Sequence, residues 1–183
     1  MITVQPPKVN PELVPAYNES HEFTRRKPTY LSKKQEERDN KIARQIAQAY
    51  DSGDASRCLD IFFRKCHLLS NPVYWEILRT VWVGCGSTVL THRFRPLMLS
   101  KRGARSWFMT VEDRKTFDNM KFPIMLYRAY DSEPDEGISW TSDWNWCEKY
   151  ARMRNRKIKS RTFNKDEIYA YISRRGENEF LIL

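Results

Sequence analysis

After Phe122 the apolar pattern of this 183-residue chain changes period, and that change limits the folds open to it. Ahead of it, apolar residues recur at spacings of three and four, as in helices with one buried side. Beyond it they gather in short β-rich runs separated by turn residues. Helices in the first half, then strands with one long helix in the second, predict an α+β fold.

Ser32 is placed to cap a helix through "SKKQEERDNKIARQIAQAYDSGD", with Ile42, Ile46, Ala49 and Tyr50 on one side and Gly53 at its end. Asp54 caps the next, "ASRCLDIFFRKCHLL". Asn71, followed by Pro72, opens a third whose Val73, Ile77, Leu78, Val81 and Trp82 face a core. "VLTHRFRPLMLSKRGARSWFM" contains Pro96 and Gly103 and reads as irregular connections with short extended pieces. Thr110 and Asp113 are spaced as a capping box before a short helix. In the second half "FPIMLYRAY" is a buried strand, "GIS" a short one, and "SDWNWCEKYARMR" a helix capped by Ser142. "KIKSRTF", "EIYAYI" and "EFLIL" are further strands, the last two joined by a tight turn at Arg175 and Gly176. Residues 1–31, rich in proline, read as an extended arm, residues 32–121 as a helical region and residues 122–183 as a β-rich region, the last two regions forming one compact domain.

No apolar stretch approaches the roughly 20 residues that span a bilayer. The N-terminus lacks the basic start and apolar run of a signal peptide, so a cytoplasmic setting without membrane partners is expected. Cys58, Cys66, Cys85 and Cys147 form no CxxC pair and read as free thiols. Cys58 and Cys66 supply two sulfurs where a structural zinc needs four ligands, so no metal is expected. Neither Cys66 with His67 nor Cys85 with His92 carries the local signature of a nucleophilic pair. Lys and Arg total 32 against 23 acids, a net charge of +9 that attracts polyanions, nucleic acid above all. The cations cluster at Arg25–Lys34 and at Arg152–Arg161, without an RNP, KH or zinc-finger signature.

Three short motifs stand in order in the last third of the chain: Arg128 in "YRAY", Ser139 and Thr141 in "SWT", and Glu177 and Glu179 in "ENE". This order resembles the Arg–Ser–Glu class of ADP-ribosyltransferases, and also short phage and bacterial proteins with a C-terminal YR, SWT and ExE pattern. The resemblance runs from Phe122 onward. It implies an ADP-ribosyltransferase-like, mostly antiparallel sheet with one long helix, NAD as substrate, and transfer of ADP-ribose to a macromolecular acceptor, protein or RNA, in a host cytoplasm. Glu179 then inherits the catalytic role, stabilising the positive charge that develops on ribose as nicotinamide leaves. Glu177, two residues earlier, falls on the same strand face by period two and inherits the role of orienting or deprotonating the acceptor. Arg128 would hold a phosphate or the nicotinamide ribose with its planar fork. Ser139 would hydrogen-bond the glutamate, Thr141 is the second hydroxyl, and Tyr127, Trp140 and Tyr150 are candidates to stack on nicotinamide.

The chain departs from the pattern in two places. Ala129 stands where glycine is frequent, and "DSEPDE" places four acids beside the proposed phosphate site, which repel phosphate unless the loop points away. Simpler readings exist for each motif: a salt-bridged surface arginine, an N-cap hydroxyl pair, and a polar edge to a terminal strand. A non-catalytic basic module that binds nucleic acid or a host protein is the alternative function. Hydrolysis of NAD without transfer is a close variant, and a virion or scaffold component a third possibility.

Overall fold

A computed structural model of the chain describes residues 31–85, 91–135, 137–174 and 177–183. The proline-rich arm, most of the Arg25–Lys34 cluster and the turn at Arg175 and Gly176 lie outside the described residues. The chain divides into two compact units, Met1–Cys85 and Gly86–Leu183.

The first unit holds three helices among its described residues: α1 (Lys33–Asp51), α2 (Ala55–Lys65) and α3 (Asn71–Cys85). Ser32 caps α1 by accepting the Gln35 amide at 3.3 Å, and Asp54 caps α2 by accepting the Arg57 amide at 2.9 Å. Between them Gly53 takes a left-handed φ of 75°, which a side chain would resist. Ile42, Ile46 and Ala49 are buried along one side of α1, and Cys58, Leu59 and Phe62 along α2. α3 begins at Asn71 itself, the expected cap, and so one residue earlier than expected. The Asp39 carboxylate fastens that start: it accepts the Ser70 amide at 3.0 Å, the Ser70 hydroxyl at 2.6 Å and the Gln35 side-chain amide at 2.8 Å, and it is wholly buried.

The second unit carries α4 (Thr91–Met98), α5 (Val111–Asp118), α6 (Trp144–Met153) and the strands β1 (Ile124–Tyr130), β2 (Ser139–Thr141), β3 (Lys157–Phe163), β4 (Ala170–Arg174) and β5 (Glu177–Leu181). Helices and an antiparallel sheet in one chain make the described residues α+β. α4 corrects the irregular reading over "THRFRPLM": Pro96 removes one amide, but Phe94 and Met98 are buried and hold the helix. The Thr110–Asp113 capping box of α5 forms, and Asp113 also accepts the Ser173 amide of β4 at 2.9 Å.

The sheet order is β3-β1-β2-β5-β4, every neighbouring pair antiparallel. Leu126, Phe163, Tyr171 and Phe180 pack on one face with Phe117 of α5, and Trp140 joins them. Tyr127, Ala129 and Ile158 cover the other face with Cys147, Tyr150 and Ala151 of α6. Residues one apart on β1 therefore belong to different cores, as strand alternation requires. The registers are unequal. β1 and β3 match seven Cα pairs, whereas β1 and β2 match one, Tyr127 with Thr141. Among the described residues no helix is long and apolar enough to cross a membrane, and no cluster of three His, Cys, Asp or Glu could hold a metal ion.

Candidate active site

At the narrow join between β1 and β2, Arg128 crosses to the neighbouring strand. Its Nη1 donates to the Ser139 carbonyl at 2.5 Å. The Ser139 hydroxyl donates in turn to Glu179 Oε1 at 2.5 Å, across the β2–β5 pairing. Arg128, Ser139 and Glu179, forty residues and more apart at the extremes, thus share one serine. The arginine reaches its main chain and the glutamate its side chain. Glu179 is 9% exposed, faces Thr141 in the register, and keeps a charge-assisted bond of the strong kind.

Strand alternation divides these groups between two faces: Arg128 falls with Leu126 and its register partner Lys159 on the side of Trp140, and it reaches Ser139 only through the main chain. Ser139, Thr141 and Glu179 lie on the face that Tyr127 and α6 cover, because β2 and β5 alternate and Thr141 pairs with Tyr127. Thr141 is committed: its hydroxyl accepts the Asp143 amide at 3.1 Å, turning the chain into α6. Asp143, not Ser142, is the cap, accepting the Trp146 amide at 3.0 Å. The strand expected at "GIS" begins instead at Ser139, since Gly137 and Ile138 belong to the approach loop.

Of the aromatic candidates, Tyr127 makes an edge contact with Trp144 at 5.1 Å, beside Thr141 and Glu179. Tyr150 stacks on Trp146 at 5.3 Å, with the rings 7° from parallel. Trp140 points to the opposite core, edge-on to Phe163, and so away from Glu179. Glu177 occupies the first position of β5, opposite Arg174.

The acidic loop does not point away. Asp135 grips the Arg128 fork with both oxygens, at 2.6 Å to Nε and 3.1 Å to Nη2, where the two side chains are 9% and 12% exposed. Burial alone would raise the Asp135 carboxyl. The Arg128 hydrogen bonds, the Gly137 amide, the arginine's charge and Lys159 outweigh it and hold the group at about 2, below an ordinary 3.8. Glu133 and Asp131 of the same loop pair with Lys159 and Arg156. Gly137 closes the assembly: a Cβ there would fall 1.3 Å from Arg128 Nη2 and 1.9 Å from its Cζ.

Asp135 and Gly137 are the site residues that motif order passed over. Their signal is local: an Asp two residues before a Gly, whose side chain accepts that glycine's amide at 3.0 Å in an Asx turn. The basic run Arg152–Arg161 is largely neutralised within the fold. Arg152 pairs with Glu148, Arg156 with Asp131, Lys159 with Glu133 and Asp135, and Arg161 with Glu167. The free cysteines Cys58 and Cys147 are buried, and burial pushes both thiols up, Cys58 to about 11, which removes them as nucleophiles. Comparison with protein families, with curated proteins and with solved structures finds no match to this chain.

Proposed function

We propose that the second unit is an ADP-ribosyltransferase-like domain that binds NAD as substrate at Arg128, Ser139 and Glu179. One observation carries the reading: the Ser139 hydroxyl anchors Glu179 at 2.5 Å while Arg128 sits on the same serine's carbonyl. The three residue types of the Arg–Ser–Glu motif order have no need to meet in an arbitrary sheet.

The chemistry is what the resemblance implies, set on this geometry. Breaking the bond between ribose C1′ and the nicotinamide nitrogen sends the electron pair to nicotinamide and leaves positive charge on the sugar. A carboxylate that is fixed by a hydrogen bond and mostly shielded from water lowers the energy of that charge without having to reorganise. The acceptor then bonds to C1′ and gives up a proton, for which the resemblance assigns Glu177. Arg128 offers a planar fork to a phosphate, and Asp135 is the anion that phosphate must displace. The exchange replaces one paired anion with another, so the guanidinium is never left bare.

Incubating the purified protein with labelled NAD, with and without cell lysate, tests this. Wild type is expected to release nicotinamide and label an acceptor. Glu179→Gln, nearly isosteric, is expected to be slower by about 10²–10³-fold, the usual worth of a group that stabilises transition-state charge. Nicotinamide release without labelling would assign hydrolysis. Equal turnover by Glu179→Gln would remove Glu179 from the chemistry.

A further inference from the structure

The outer side of α6 presents a row of groups of which only Tyr150, at its inner margin, also packs against a core of the sheet. Trp146, Lys149, Tyr150 and Met153 recur at helical spacings of three and four, opposite the buried Cys147 and Ala151. Trp146 is 37% exposed and Met153 70% exposed, where large apolar side chains are usually covered. The rings of Trp146 and Tyr150 lie parallel within 7°, with centroids 5.3 Å apart. Tyr150 is itself pinned, since Arg156 donates to its hydroxyl at 3.2 Å and lies 5.5 Å from its ring centroid. Arg156 is clamped by both oxygens of Asp131 at 2.8 Å. The indole is thus the solvent-facing end of a braced pedestal, and an immobilised ring loses little freedom when a planar partner settles on it.

The surrounding charge identifies the partner. Lys149, Arg154 and Lys157 are exposed and make no ion pair among the described residues, unlike the other cations of this stretch. An aromatic face flanked by unneutralised cations suits a chain of alternating planar bases and phosphates. From this geometry we infer that the outer side of α6, with the start of β3, binds single-stranded nucleic acid: a base stacks on Trp146 and phosphates lie along Lys149, Arg154 and Lys157. A duplex keeps its bases stacked inside and cannot use the indole. The site shares no residue with Arg128, Ser139 or Glu179, so either reading can fail without the other.

Fluorescence anisotropy of a labelled 12-residue oligodeoxythymidylate, titrated with full-length protein across a range of salt, tests the inference. Trp146→Leu is expected to weaken binding about tenfold or more, and Trp146→Phe to recover most of the loss. Replacing Lys149, Arg154 and Lys157 together with Gln should reduce the slope of log affinity against log salt by about 2, from roughly 0.7 per lost phosphate contact. Thermal unfolding of each variant confirms that it is folded. Affinity unchanged by Trp146→Leu, an unchanged salt slope in the triple variant, or equal affinity for a duplex of the same length would each overturn the inference.

Discussion

Replacing Asp135 with Asn removes the charge that closes the Arg128 fork and little else, since the amide keeps the same shape. The magnitude comes from the carboxyl's titration, at about 2 in the folded protein against 3.8 ordinarily. A depressed value means that folding favours the charged form. The resulting stability is fully present above the unfolded value and is lost as pH falls through the folded one. A gap of somewhat under two units corresponds to about 2 kcal/mol. Both partners are nearly withdrawn from solvent, so screening takes little from it. Urea unfolding of wild type and Asp135→Asn at a series of pH values is the assay. Wild type should be more stable by about 2 kcal/mol near neutrality, with the advantage shrinking between pH about 4 and about 2 as the carboxyl becomes neutral like the amide. An advantage of constant size across that interval would refute the assignment, because only a titrating Asp135 makes it close there.

Gly137→Ala should force the guanidinium out of its seat, since the new methyl would overlap Nη2 and Cζ. A loss of about 1–3 kcal/mol is expected in chemical denaturation, with weakened NAD binding by calorimetry. Asp39→Ala strips the Ser70 amide and hydroxyl of a fully buried acceptor and should lower stability by about 2–4 kcal/mol, measured by the same unfolding experiment. Asp113→Ala removes the carboxylate half of the α5 capping box and the bond from the Ser173 amide, leaving the Thr110 hydroxyl on the backbone amide of residue 113. The expected loss is about 1–3 kcal/mol, with faster amide exchange at Ser173 and in the first turn of α5.

Local chemistry made much of this fold readable. Ser32, Asp54 and Thr110 cap helices because short polar side chains satisfy amides three positions on, and Asp113 reaches back to the Thr110 amide; that rule needs no tertiary knowledge. β1 was legible as a compact apolar run after Pro123, and β3 as an alternating one. α4 was not, because Pro96 signals a break whereas burial of Phe94 and Met98 decides the matter, and burial is not a local property. Ser142 and Asp143 are both good caps, and it is Asp143, its own amide donating to the Thr141 hydroxyl, that accepts the Trp146 amide. In the site, motif order named Arg128, Ser139 and Glu179, but the hydrogen bonds that join them run across three strands and depend on sheet order. The grip of Asp135 was hidden for the opposite reason. Repulsion between a like-charged loop and phosphate is obvious in sequence, whereas attraction of that loop to its own arginine depends on the turn at Gly137.

The sheet's unequal registers have a mechanical consequence. β3 with β1 forms one well-laced leaf and β2 with β5 and β4 another; among the described residues one register pair and the Arg128–Ser139 bond join the two along the β1–β2 edge, above the core that both leaves share. Arg128 is therefore a rivet of the sheet as well as the recognition group we propose. On the proposed reading, an anion that draws the guanidinium from the Ser139 carbonyl would slacken that seam as it enters, and occupancy and parting of the leaves would be tied to the same atom.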